Sequence, residues 1–331
     1  MKYLALLTLL LTYSILPAQS LQVLTTGTAT NIRGLSVVSN KVLWVSGNNG
    51  TVGHSFDGGL TFKWLKVHGF DSTDFRDIEA FSTTEAIIMG IGEPAYILKT
   101  QDGGNSWKLV YENKTKGIFL DAMEFWNTQS GIVIGDPIDG HFFFARTFDG
   151  GNTWQNLPTT ATPTAYNGEA CFASSGTNIR TLGKAACAYV SGGLKSRLYY
   201  KNKVTNLPIL QGTESTGANS LAISKNLKNL IIIGGDFTKK NDTTSNCALS
   251  FDGGLTISLP ITYPSGYRSC VAYITHLKAI TCGLNGVDVS ADNGLHWKAI
   301  STQSYNVVSK AKQGTAVYLA GAKGTVSKFV E

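Results

Sequence analysis

The chain has 331 residues, a formal net charge of +6, 15% charged residues, 36 glycines and eight prolines. Its length admits one large domain or two. The mild charge is spread without a basic run or interleaved aromatics, so nucleic acid is not among the expected partners. No amphipathic helical periodicity stands out, which points to an all-β, turn-rich chain.

In chain order, Lys2 supplies a positive start, Leu4–Leu11 an apolar run, and Ala18 a small residue before Gln19. This is the pattern of a signal peptide over residues 1–18. The apolar run is too short for stable membrane insertion, so residues 19–331 are expected to be secreted or periplasmic. The β-prone stretch Leu21–Leu24 comes next. Seven similar segments then follow at residues 32–65, 75–110, 118–157, 166–209, 217–259, 266–300 and 305–331. The middle of the last, Gly321–Val326, matches Gly47–Val52 of the first. It stops one strand short.

Five segments share a turn of the form Ser/Thr-x-Asp-x-Gly-x-Thr-Trp, centred on Asp57, Asp102, Asp149, Asp252 and Asp292. An Asp side chain accepts from backbone N–H groups just ahead of it, closing a local turn. Glycine supplies the positive φ, and the closing aromatic buries a large apolar area. Successive aspartates lie 45, 47, 103 and 40 residues apart, the long interval spanning a segment without the motif. A period of that size built from short strands predicts a β-propeller. The expected fold is therefore a single seven-bladed ring of four-stranded antiparallel blades, with residues 21–24 completing the last blade. The five aspartates recur once per blade and are expected to form turns.

The five histidines form no ligand pair, and no nucleophile elbow, phosphate loop or dinucleotide fingerprint occurs. No metal and no cofactor is expected. The five cysteines read mainly as small buried side chains; Cys171–Cys187 and Cys270–Cys282 are the pairs that neighbouring strands would bring together.

Aligning the segments on their first strand places one polar residue at each start: Arg33, Arg76, Asp121, Glu169, Asn219, Arg268 and Asn306. First strands of a propeller converge on its axis, so these seven predict a polar ring at the mouth of the central channel. Three guanidinium groups there suit a carboxylate or another anion. Pairing with Asp77, Asp121 and Glu169 is the structural alternative. Tyr166, Phe75 and Tyr267 are candidates to line the same mouth.

The repeated turn resembles the Asp-box of the BNR repeat family. In size, blade number and arginine placement the chain is most similar to the photosystem II stability/assembly factor type, a seven-bladed ring that works by binding protein. Residues 135–140, 168–173 and 234–236 also resemble exported bacterial proteins labelled oxidoreductase or glycosyl hydrolase. The first resemblance implies a non-catalytic propeller holding a protein segment or an anionic small molecule or glycan at its mouth. The alternative is a sialidase-like glycosidase acting on an acidic sugar, with Glu169, Tyr267 and Tyr166 as its catalytic set. The Phe/Tyr-Arg-Ile-Pro motif of sialidases is absent. A redox enzyme is disfavoured.

Overall fold

The middle strands of each repeat, such as Leu43–Gly47 and Ala86–Gly90, are buried on both faces. A sheet that is apolar on both sides must be covered on both. Each blade is covered by its two neighbours, and closing the ring leaves none exposed. The computed structural model describes residues 19–331; the expected signal peptide lies outside the described residues.

Seven antiparallel sheets surround the axis. Their innermost strands are Ile32–Val37, Phe75–Ala80, Leu120–Phe125, Ile179–Leu182, Thr216–Ile223, Cys270–Tyr273 and Val307–Lys310, in blades one to seven. In blade five, two short strands, Glu169–Ala170 and Gly192–Gly193, extend the sheet beyond the start of Thr216–Ile223, through the pair Gly192–Gly217. The ring closes as expected. Ser20–Thr25 pairs antiparallel with Val326–Val330, setting Leu21 opposite Phe329 and Val23 opposite Ser327, and becomes the outer strand of blade seven.

All five repeated turns adopt one hydrogen-bond pattern. The leading Ser or Thr hydroxyl donates to the Asp carboxylate at 2.8–2.9 Å. The same oxygen accepts the N–H of the glycine two residues beyond the Asp at 2.9–3.0 Å. The N–H four residues beyond the Asp donates to its carboxylate at 2.9–3.0 Å. Each turn leans backward onto the preceding blade. A side chain at Gly151, whose φ is +79°, would meet Ile87 of blade two. The closing residues follow: Trp107 packs into the core between blades one and two, Trp154 between two and three, and Trp297 between five and six.

Two expectations are corrected. Blade four begins at Ile179, not near Tyr166, because residues 171–178 run through the channel as a loop before its first strand. Blade five has five strands in its sheet, and its outer edge is reduced to the bridge Leu249–Ser258. All five thiols are free; Cys270 and Cys282 face each other across strands, whereas Cys171 and Cys187 do not pair.

Candidate binding site in the axial channel

Four of the seven polar residues at the strand starts owe their aim to β-bulges. In blade one, Ile32 opposes Gly47 and Gly34 opposes Ser46, so Arg33 has no partner across the ladder. The same skipped position falls on Arg76, Asp121 and Asn219. A bulged residue leaves the pleat's alternation and turns its side chain out of register. Repetition of the bulge around the ring sends several side chains toward the axis.

The channel is not open. Residues 173–177 cross it and divide it into an upper cavity of about 380 Å³ and a lower one of about 300 Å³. Ala173 and Ser174 line the upper side, and Ser175, Gly176 and Thr177 the lower. The crossing segment is tied on several sides. The Ser174 hydroxyl donates to Asn219 Oδ1 at 2.6 Å and the Ser175 hydroxyl to the Ser269 carbonyl at 2.8 Å. Leu221 N–H donates to the Thr177 carbonyl at 3.0 Å. Gly176, at φ +65°, leaves room for the Asp77 carboxylate, which a Cβ would strike.

Of the seven ring residues, Arg33, Arg76 and Asn306 line the upper cavity, joined by Asp136, Phe119 and Tyr267. Arg33 Nη1 donates to the Ser174 carbonyl at 3.2 Å, and no carboxylate pairs with it among the described residues. Burial, and after it the like charge of Arg76, pull its pKa below the ordinary value. Arg76 pairs with Asp74 at 2.8 Å and remains about one quarter exposed. Asn306 donates to the Asn31 side chain at 2.7 Å and the Ile32 carbonyl at 2.8 Å, locking blade seven to blade one.

The others are placed differently. Arg268 is 1% exposed and turns into its own blade. There its Nε donates to Asp288 at 2.6 Å, and Nη1 donates to the Tyr267 carbonyl at 2.9 Å and to Asn285. Asp288 stands on the third strand, and its charge draws the guanidinium off the axis. Glu169 lies away from the mouth, held by Arg197, Ser191 and the Tyr199 hydroxyl. Asn219 is fully buried and accepts from Tyr267 OH at 2.8 Å as well as from Ser174. Tyr166 is 56% exposed on the rim. Glu169 accepts the Tyr166 backbone N–H at 2.7 Å, but Tyr267 lies apart in the upper cavity, so the three are not brought together as a catalytic set.

Asp121 is fully buried, and burial followed by the nearby Asp136 charge pushes its pKa well up. Burial raises Asp136 to about 6. It raises Glu124, in the lower cavity beside Arg180, to about 7. Asp136 was missing from the sequence-derived ring because it sits on the second strand, Gly131–Ile138. Its only sequence signal was an acidic residue in an otherwise apolar run.

These shifts set opposing pH limbs. In Asp57, Asp102 and Asp252, hydrogen bonds from the Thr or Ser hydroxyl four residues on, then from its backbone N–H, hold the carboxyl at about 2. Their contribution is complete above the ordinary carboxylate range and fades as pH falls toward 2. Asp136 and Glu124 act in the reverse sense: the folded chain keeps protons the unfolded chain has released, so stability falls as pH rises from about 4 to 7. Thermal midpoints across pH 2–8 are expected to peak between about 4 and 5. Asp136→Asn with Glu124→Gln should make the upper limb shallower; an unchanged slope would count against these assignments.

A family model described as photosynthesis system II assembly factor YCF48 matches residues 16–118. The structure of YCF48 bound to D1 peptide is similar across 96% of both chains, with 18% identity and a TM-score of 0.66. The chain is a seven-bladed β-propeller, similar in fold to that assembly factor. YCF48 from Cyanidioschyzon merolae shares the fold at 15% identity and a TM-score of 0.60, covering 93% of this chain and 98% of that one. No curated protein sequence matches. At these identities the likeness is one of fold.

Proposed function

We propose that this chain is an exported, non-catalytic propeller that binds a protein segment at its upper axial cavity, through a carboxylate on that segment. The observation that carries the reading is Arg33: a half-buried guanidinium without a carboxylate partner, beside a second arginine, in a cavity of about 380 Å³. An incoming carboxylate would relieve the repulsion between Arg33 and Arg76 and replace the single bond to Ser174 with a bidentate contact. The likeness to a propeller solved with a bound peptide supports a protein segment as occupant. Export is supported by residues 1–18 alone, whose pattern places a cleavage site before Gln19.

The test is titration of acidic peptides with free C-terminal carboxylates into the chain purified from extracytoplasmic fractions, where its intact mass should begin at Gln19. Arg33→Ala and Arg76→Ala are each expected to weaken binding about tenfold or more, as loss of a central charged contact does. Binding should also weaken as pH rises through about 6, where Asp136 in the same cavity gains its charge. Wild-type affinity in a folded double variant would overturn the reading.

A further inference from the structure

Every blade that carries the repeated turn uses it to fill the gap behind it. Phe62, Trp107, Trp154, Ile257 and Trp297 each pack against the core shared with the preceding blade. Blade four lacks the turn. Its outer strands, Arg197–Tyr200 and Lys203–Asn206, are joined by Lys201 and Asn202 alone, both at positive φ. This is a tight two-residue hairpin that projects no aromatic backward. The core between blades three and four therefore receives no closing ring from blade four.

The gap stays open as a groove of about 470 Å³. One wall is a pair of stacked rings, Tyr189 and Tyr199, with centroids 4.2 Å apart and planes 7° from parallel; Phe144 meets Tyr189 edge-on at 5.5 Å. Two buried donors in this lining have no acceptor among the described residues: the Tyr189 hydroxyl, on a residue only 3% exposed, and Arg146 Nε–H. Such groups are costly unless something satisfies them. Arg146 is held between Trp126 and Phe148, 4.5 and 4.8 Å from their ring centres. Lys201 and Lys203 stand at the rim with their ammonium groups turned toward blade five, where Lys203 donates to the Leu255 carbonyl at 3.1 Å; Arg146 pairs with no carboxylate among the described residues. The groove thus combines an aromatic wall, unpartnered donors and uncompensated positive charge.

We infer that this groove is a second binding site, for a protein segment that inserts an aromatic side chain next to an acidic residue. The ring occupies the space that Trp107, Trp154 and Trp297 fill elsewhere from within the chain. The carboxylate meets Arg146 and accepts from the orphaned donors. The site is separate from the axial cavity and does not depend on it, since no residue lines both.

The probe is a blocked acidic peptide carrying one tryptophan between glutamates, titrated calorimetrically into the full chain. Binding is expected in the micromolar range. Tyr189→Phe keeps the stacked ring and removes one hydrogen bond, so it should weaken binding roughly fivefold. Ala186→Trp, at an exposed position on the groove wall, should fill the space and abolish binding, and changing the peptide's tryptophan to alanine should do the same. Three results would overturn the inference: no binding to a folded wild-type chain, equal affinity for Tyr189→Phe and Ala186→Trp, or binding lost in Arg33→Ala instead. Indole-3-acetate binding as tightly as the peptide would overturn the protein-segment assignment.

Discussion

Replacing Arg268 with alanine is expected to cost about 3–5 kcal/mol, the range seen when one partner of a buried ion pair is removed. Arg268 and Asp288 are both 1% exposed, and their pairing lies wholly within blade six. Without the guanidinium, Asp288 keeps only Ser265 as a partner. Asn285 and the Tyr267 carbonyl would also lose a donor. Arg268→Lys should rescue little, because one ammonium cannot reach three acceptors in a fixed fork geometry. Replacing Arg268 and Asp288 together with methionine and leucine should recover much of the loss, since no charge is then stranded. Chemical denaturation of the three variants separates these cases. An Arg268→Ala chain as stable as wild type would return this arginine to the list of ligand contacts.

Deleting Ser20–Thr25 should have a comparable or larger effect. The strand supplies the outer ladder of blade seven, and Leu21 and Leu24 pack against the core shared by blades six, seven and one. Loss of those backbone bonds and apolar contacts is worth on the order of 5 kcal/mol. It also exposes Val326–Val330 as an unpaired edge, a template for association between chains. The truncated chain is expected to unfold at lower denaturant and to aggregate on refolding, as light scattering would report. A synthetic peptide spanning residues 19–27 should restore the midpoint by pairing in trans. A truncated monomer with an unchanged midpoint would show that the ring closes without this strand.

What could be read from the sequence follows how local each interaction is. The repeated turn binds itself: Asp149 accepts from Thr147 and Thr153, all within seven residues. Its period therefore revealed the ring. Arg33 and Arg76 were found because the bulge recurs at the same place in successive repeats. Arg268 stands just ahead of its first strand, yet its direction depends on Asp288, twenty residues away on another strand, and alignment of first strands carries no such information. Glu169 was misplaced for a related reason. Blade four breaks the repeat, and its channel segment is held by partners in other blades, Asn219 and Ser269 among them.

The absent fourth turn was visible in the sequence, whereas the groove it leaves was not. A gap exists only once two blades pack side by side and the filler is missing. By itself the sequence determined the blade repeat, the turn chemistry and the strand that closes the ring, because each rests on contacts between near neighbours or on a regular period. Tertiary structure alone decided which arginines face the axis, that the channel is crossed by its own chain, and that blades three and four part. Those outcomes depend on charges and volumes that meet only after residues far apart in sequence have been brought together.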